Sequence, residues 1–175
     1  MADVKIDLLS LSAEVFARTR RRLAGLSDRE YFWEPVADSW NIRQTAGELR
    51  ADFEPFADPP PFTTIGWRLW HLTGCYGAER NSLWLGAGPA PGGFEQDDPV
   101  PATADLALDA LGRAHTSWRA LLEAMPLDRW AEPLGAVAGP YRDSDRASFV
   151  LHQLDEQIHH GAELGVLRDL YRHTP

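Results

Sequence analysis

No proline interrupts the stretch from Ser148 to Tyr171, SFVLHQLDEQIHHGAELGVLRDLY. This run constrains the fold more than any other feature, because it is long enough for roughly six helical turns at about 3.6 residues each. Within it His152, Glu156 and His160 follow one another at intervals of four. Residues at i and i+4 lie one above the other on a single helix face. His159 and Glu163 flank that column. At about 100° per residue, Leu151, Leu154, Ile158, Ala162 and Gly165 make a separate apolar face, expected to pack inward. Phe149 and Leu167 share the azimuth of the polar column, one at each end. A solvated stripe would continue polar in both directions, whereas a column bracketed by large apolar residues points to a pocket.

The remainder of the chain suits a single domain over residues 1–175, since that length buries a substantial core. An apolar fraction of 44% places it among globular rather than disordered chains. A net charge of −9 excludes the basic footprint of a nucleic-acid binder. The one basic run, Arg18 to Arg22, is broken by Thr19 and reads as a solvated face. The single cysteine, Cys75, excludes an internal disulfide framework and fits a reducing compartment. The opening MADVKIDLLSLS has neither the basic nor the apolar region of a signal peptide. No stretch approaches the roughly 20 apolar residues of a membrane span. A cytosolic setting is expected, with no nucleic-acid or membrane partner.

Helical periodicity predicts helices near residues 3–24, 64–85, 103–124 and 144–172. Gly25 closes the first, Ser27 and Glu30 form a capping box for a short turn over 27–31, and Thr63 or Thr64 caps the second long helix, with Gly86 at its end. Residues 32–62 carry Pro35, Pro55 and Pro59 to Pro61, with Trp33, Trp40, Phe53 and Phe56 as apolar anchors. They read as a long ordered crossover with room for a short helix over Ile42 to Arg50, and no strand alternation is evident. Residues 86–101 form a Gly/Pro-rich connection with an acidic patch at Glu95, Asp97 and Asp98. Four long helices make an all-α four-helix bundle the expected fold.

Metal sites in bundles draw ligands from facing helices. His71 on the second helix could meet Glu156 and His160 on the last, giving two imidazoles and a carboxylate with positions left open. That set suits a divalent transition metal such as Zn, Ni or Fe. Other readings stand beside it. His71 fits equally a core histidine, and Cys75 a small buried apolar residue. His152 fits a supporting or surface residue. His159 rivals His160, although the i,i+4 register with Glu156 favours His160. Trp67 and Trp70 could line a pocket. His115 and His173 attract no role.

The segments TTIGWRLWHLTGCYGAERN and LHQLDEQIHHGAELGVLRDLY together resemble the DinB superfamily, and the likeness spans nearly the whole chain. The resemblance implies an up-up-down-down bundle with a long crossover after the first helix, frequently dimeric. It also implies a divalent metal held by three side chains, which fall on His71, Glu156 and His160, the last directly before Gly161. Many members carry histidine at both later positions, so Glu156 is a departure that adds a negative charge. By the same resemblance the activity is that of a low-molecular-weight-thiol-dependent S-transferase acting on a small-molecule substrate, the mycothiol-dependent maleylpyruvate isomerase type included. A metal-dependent hydrolase on the same site and a non-catalytic binding or stress-associated protein are the alternatives.

Overall fold

Helix boundaries follow the local signals closely. In the computed structural model, which describes residues 4–54, 57–87 and 98–174, α1 spans Val4–Leu23 and ends at Gly25, whose φ of +70° is the left-handed value a helix stop requires. The Ser27–Glu30 capping box opens α2, Asp28–Tyr31. Thr64 caps α3, Ile65–Cys75, and Thr103 caps α5, Ala104–Ala124. Asp145 accepts from the Ser148 backbone N–H to start α6, Arg146–His173. Among the described residues the fold is all-α apart from one small hairpin. Of the expected features, Pro55, Phe56, Glu95 and Asp97 lie outside the described residues.

The second long helix is not continuous. It stops at Cys75 and resumes as α4, Ala78–Trp84. Gly77 takes an extended conformation (φ −42°, ψ 132°), so the α3 ladder cannot pass through it. Arg80 Nη2 and Asn81 Nδ2 then donate to the Cys75 carbonyl at 2.8 and 3.2 Å, replacing helical partners lost at the break.

Residues Ile42–Thr45 (β1) and Glu48–Ala51 (β2) form an antiparallel hairpin rather than a short helix, with Ile42 opposite Ala51. Ala46 and Gly47 both have positive φ, as a tight two-residue hairpin turn demands. Alanine is an unusual occupant of that turn, which hid the hairpin from sequence patterning.

Helix directions also depart from the up-up-down-down expectation. Ser12 pairs with Gln157, and Arg22 with Gly165 and Asp169, so α1 and α6 run parallel. Lys5 reaches the carbonyls of Glu123 and Met125, while Arg20 reaches that of Leu108, so α5 opposes α1. Arg68 meets Glu163 and Cys75 meets Glu156, so α3 opposes α6. The order is therefore up-down-down-up. The connection after α1 begins and ends at one end of the bundle, where Tyr31 lies so close to Gly66 that a Cβ there would approach its carbonyl oxygen to 2.9 Å. The return along the bundle falls instead between α3 and α5.

Leu69, Leu72, Leu111, Leu122 and Leu164 fill the core. The expected inward face of α6 is corrected in part: Leu154 is buried and Gly165 packs inward, but Leu151, Ile158 and Ala162 face outward. The helix buries Val150, Gln153, Gln157, Gly161, Leu164 and Arg168 instead. Gln157 is admitted because Ser12 satisfies it twice, through hydroxyl and carbonyl. At Gly161 a Cβ would stand 2.5 Å from Thr19 Oγ1, so only glycine allows α1 this close.

Candidate metal centre

α3 and α6 face each other across the middle of the bundle, and three sequence-selected side chains meet there. Among the described residues, one donor atom each from His71, Glu156 and His160 lie within 4.8 Å of one another. Glu156 Oε2 is the shared point, 2.8 Å from His160 Nε2 and 3.4 Å from His71 Nε2. The two imidazoles stand edge to face with ring centroids 4.7 Å apart. His160 is buried, Glu156 half-buried and His71 open to one side.

Each imidazole is held from behind. His71 stacks on Trp67 at 5.1 Å, and Trp67 Nε1 donates to the Asp52 carbonyl just after the hairpin. The hairpin thus fixes the plane of a ring on α3. His160 Nδ1 lies 2.7 Å from Glu163 Oε2, and Arg68 places Nε 2.9 Å from the same oxygen. Arg68 Nη1 also stands 3.2 Å from His160 Nδ1. A guanidinium cannot accept and an ionised carboxylate cannot donate. The shorter contact assigns the Nδ1 proton to Glu163, which leaves Nε2 to face Glu156 and His71. A carboxylate–imidazole pair of this kind is the usual support behind a metal-binding histidine.

Electrostatics agree with the geometry. Hydrogen bonds from His160 and then His71 hold the Glu156 carboxyl far below its ordinary value, against the opposing effect of burial. Burial lowers the His160 pKa, but Glu156 and Glu163 outweigh it and the net shift is upward. Glu163 is lowered although burial raises it, through His160 and Arg68. Cys75, one turn beyond His71, has Sγ 3.7 Å from His71 Nε2 and 3.6 Å from Glu156 Oε2. Burial, followed by Glu156, pushes its thiol up to about 12.

Of the other histidines, His159 is exposed, lies 3.1 Å from Glu163 Oε1 and stacks on His160 with ring centroids 4.6 Å apart, so that His159, His160 and Glu163 make a second group of donor atoms within 4.8 Å of one another. His152 stands at the rim, 3.8 Å from Glu156 Oε1. His115 plays the core role that His71 could have had: it stacks on Phe16 with centroids 3.7 Å apart, and burial pushes it down to about 4. Arg68 was not singled out by sequence reasoning, although its i,i+3 spacing from His71 places it on the same helix face. A cavity of about 150 Å³ lined by Phe53, Trp70, His71, Gly74, Cys75 and Arg80 opens onto the cluster.

The arrangement defines a helical bundle with a histidine–carboxylate cluster between antiparallel helices. The family profile of the DinB superfamily matches residues 13–164, and the chain belongs to that superfamily. No curated protein and no solved structure matches it. Among the described residues, no helix is long and apolar enough to cross a membrane.

Proposed function

We propose that this chain is a divalent-metal-dependent enzyme that transfers a low-molecular-weight thiol to a small electrophilic substrate. The observation that carries this is the convergence of His71 Nε2, Glu156 Oε2 and His160 Nε2 on one point. Two neutral imidazoles and one carboxylate are a donor set that suits Zn, Ni or Fe. Around a dication they leave a charge of about +1, which lowers the pKa of a bound thiol and keeps it as the nucleophilic anion.

The protein's own groups do the rest. Glu163 holds the His160 Nδ1 proton and so directs Nε2 inward. Trp67 fixes the His71 ring. Phe53 and Trp70 wall the opening, and Arg80 at its edge offers a cation to an anionic substrate group. Membership in the superfamily supports a metal-associated bundle, and the thiol chemistry rests on resemblance.

Metal analysis of protein purified without an affinity tag, followed by turnover assays with and without added thiol, tests the proposal. One equivalent of metal and thiol-dependent turnover are expected. Turnover of an ester or amide without thiol would replace transferase by hydrolase, and metal-free protein with no rescue by added zinc would remove both. We further propose a homodimer in a cytosolic setting. Ile158, Val166 and Leu170 present an outward apolar stripe on α6 beside Phe62. Light scattering that shows only monomer at micromolar concentration would remove the dimer.

A further inference from the structure

Four donors bound to one ion at about 2.0–2.3 Å, placed at the corners of a tetrahedron, stand about 3.3–3.8 Å apart. The cluster between α3 and α6 can be measured against that figure. His71 Nε2 to Glu156 Oε2 is 3.4 Å. Cys75 Sγ to His71 Nε2 is 3.7 Å, and Cys75 Sγ to Glu156 Oε2 is 3.6 Å. All three edges of this face have tetrahedral length. His160 Nε2 to Glu156 Oε2, at 2.8 Å, is shorter, because those two share a hydrogen bond.

We infer that Cys75 is a fourth metal ligand, completing a site of two imidazoles, one carboxylate and one thiolate. The inference rests on the metal reading of His71, Glu156 and His160 and adds a donor to it. Helix geometry prepares the position: Cys75 follows His71 by four residues, so both project from one face of α3. The break after Cys75 secures it, since Arg80 and Asn81 anchor the Cys75 carbonyl. The thiol is buried against the cluster, where it would otherwise be a small apolar filler.

The added donor changes the chemistry of the site. A thiolate together with Glu156 neutralises a dication, whereas the three-donor set leaves it positive. Soft sulfur also favours Zn²⁺ and Co²⁺ over Mg²⁺ or Mn²⁺. A substrate or added thiol then reaches the metal by displacing Cys75 or by taking a fifth position.

Cobalt titration of the metal-free, untagged protein tests this, because Co²⁺ reports geometry by its visible bands and thiolate ligation by near-ultraviolet charge transfer. The wild type is expected to show both signals at one equivalent. Cys75→Ser and Cys75→Ala, with folding checked by circular dichroism, should keep visible cobalt bands, lose the charge-transfer band and bind Zn²⁺ at least about tenfold more weakly. A wild-type protein with visible bands and no charge transfer would overturn the Cys75 assignment while leaving the three-ligand site intact. A wild-type protein that binds no cobalt would overturn both.

Discussion

Two polar clusters sit on α6 about three turns apart, and they are built on opposite logic. Around Arg168 the guanidinium is consumed: it donates to Glu30 and to the carbonyls of Arg22, Ala24 and Gly25. The cluster closes the end of α1 and ties it to α2. Around Glu156, two imidazoles and a thiol approach a single oxygen. The first cluster spreads one cation over many acceptors. The second gathers donor atoms of several residues on one point, as an ion would require. Buried polarity alone does not single out a candidate metal site, whereas convergence of potential ligand atoms does.

The sharpest break in this comparison comes from His160→Ala. It should lose metal binding by more than the roughly 100-fold that an outer partner costs, as read by zinc titration, with the Arg168 cluster untouched. Equal zinc affinity in the variant would erase the distinction. Arg168→Ala should do the reverse. Removing one member of a buried pair costs about 3–5 kcal/mol, so urea unfolding should shift strongly while the folded fraction still binds zinc with wild-type affinity.

Glu163→Gln comes next, with an expected loss of about 10–100-fold in zinc affinity and little change in the unfolding of the metal-free protein. His159→Ala should change zinc affinity by no more than about twofold, because its ring points to Glu163 from the exposed side.

The two clusters also differ in pH response. Glu30 is lowered from 4.5: burial works against this, but the Ser27 backbone and Arg168 outweigh it. A lowered carboxyl contributes stability that is present above 4.5 and fades as pH falls through its folded value. His160 is raised above 6.5, so in the metal-free protein its contribution is full below 6.5 and fades as pH rises through its folded value. The stability deficit of metal-free His160→Ala relative to wild type should therefore shrink on the alkaline side, and Glu30→Gln should keep its deficit there. Urea unfolding across pH 5–9 checks both.

Much of the site was legible because its signal is local. The i,i+4 spacing of Glu156 and His160 survives in any helix, and a histidine on a facing helix needed only the bundle to reach them. The caps at Ser27, Thr64, Thr103 and Gly25 were legible for the same reason. What escaped notice depends on contacts distant in sequence. Leu151 and Ile158 looked like core by hydropathy, yet Gln157 and Arg168 take the inward positions because Ser12 and Glu30 satisfy them. Arg68 gains its place only through Glu163.

The sequence by itself determined that the chain is helical, where its long helices begin, and which three side chains offer potential metal ligands on the facing surfaces of α3 and α6. These follow from propensity, caps and period, which act over a few residues. Tertiary structure alone decided the helix directions, the break after Cys75, the hairpin that steadies Trp67 and the face on which α6 packs. Each depends on which remote group satisfies a buried donor or acceptor, and such pairings arise only when the chain has closed on itself.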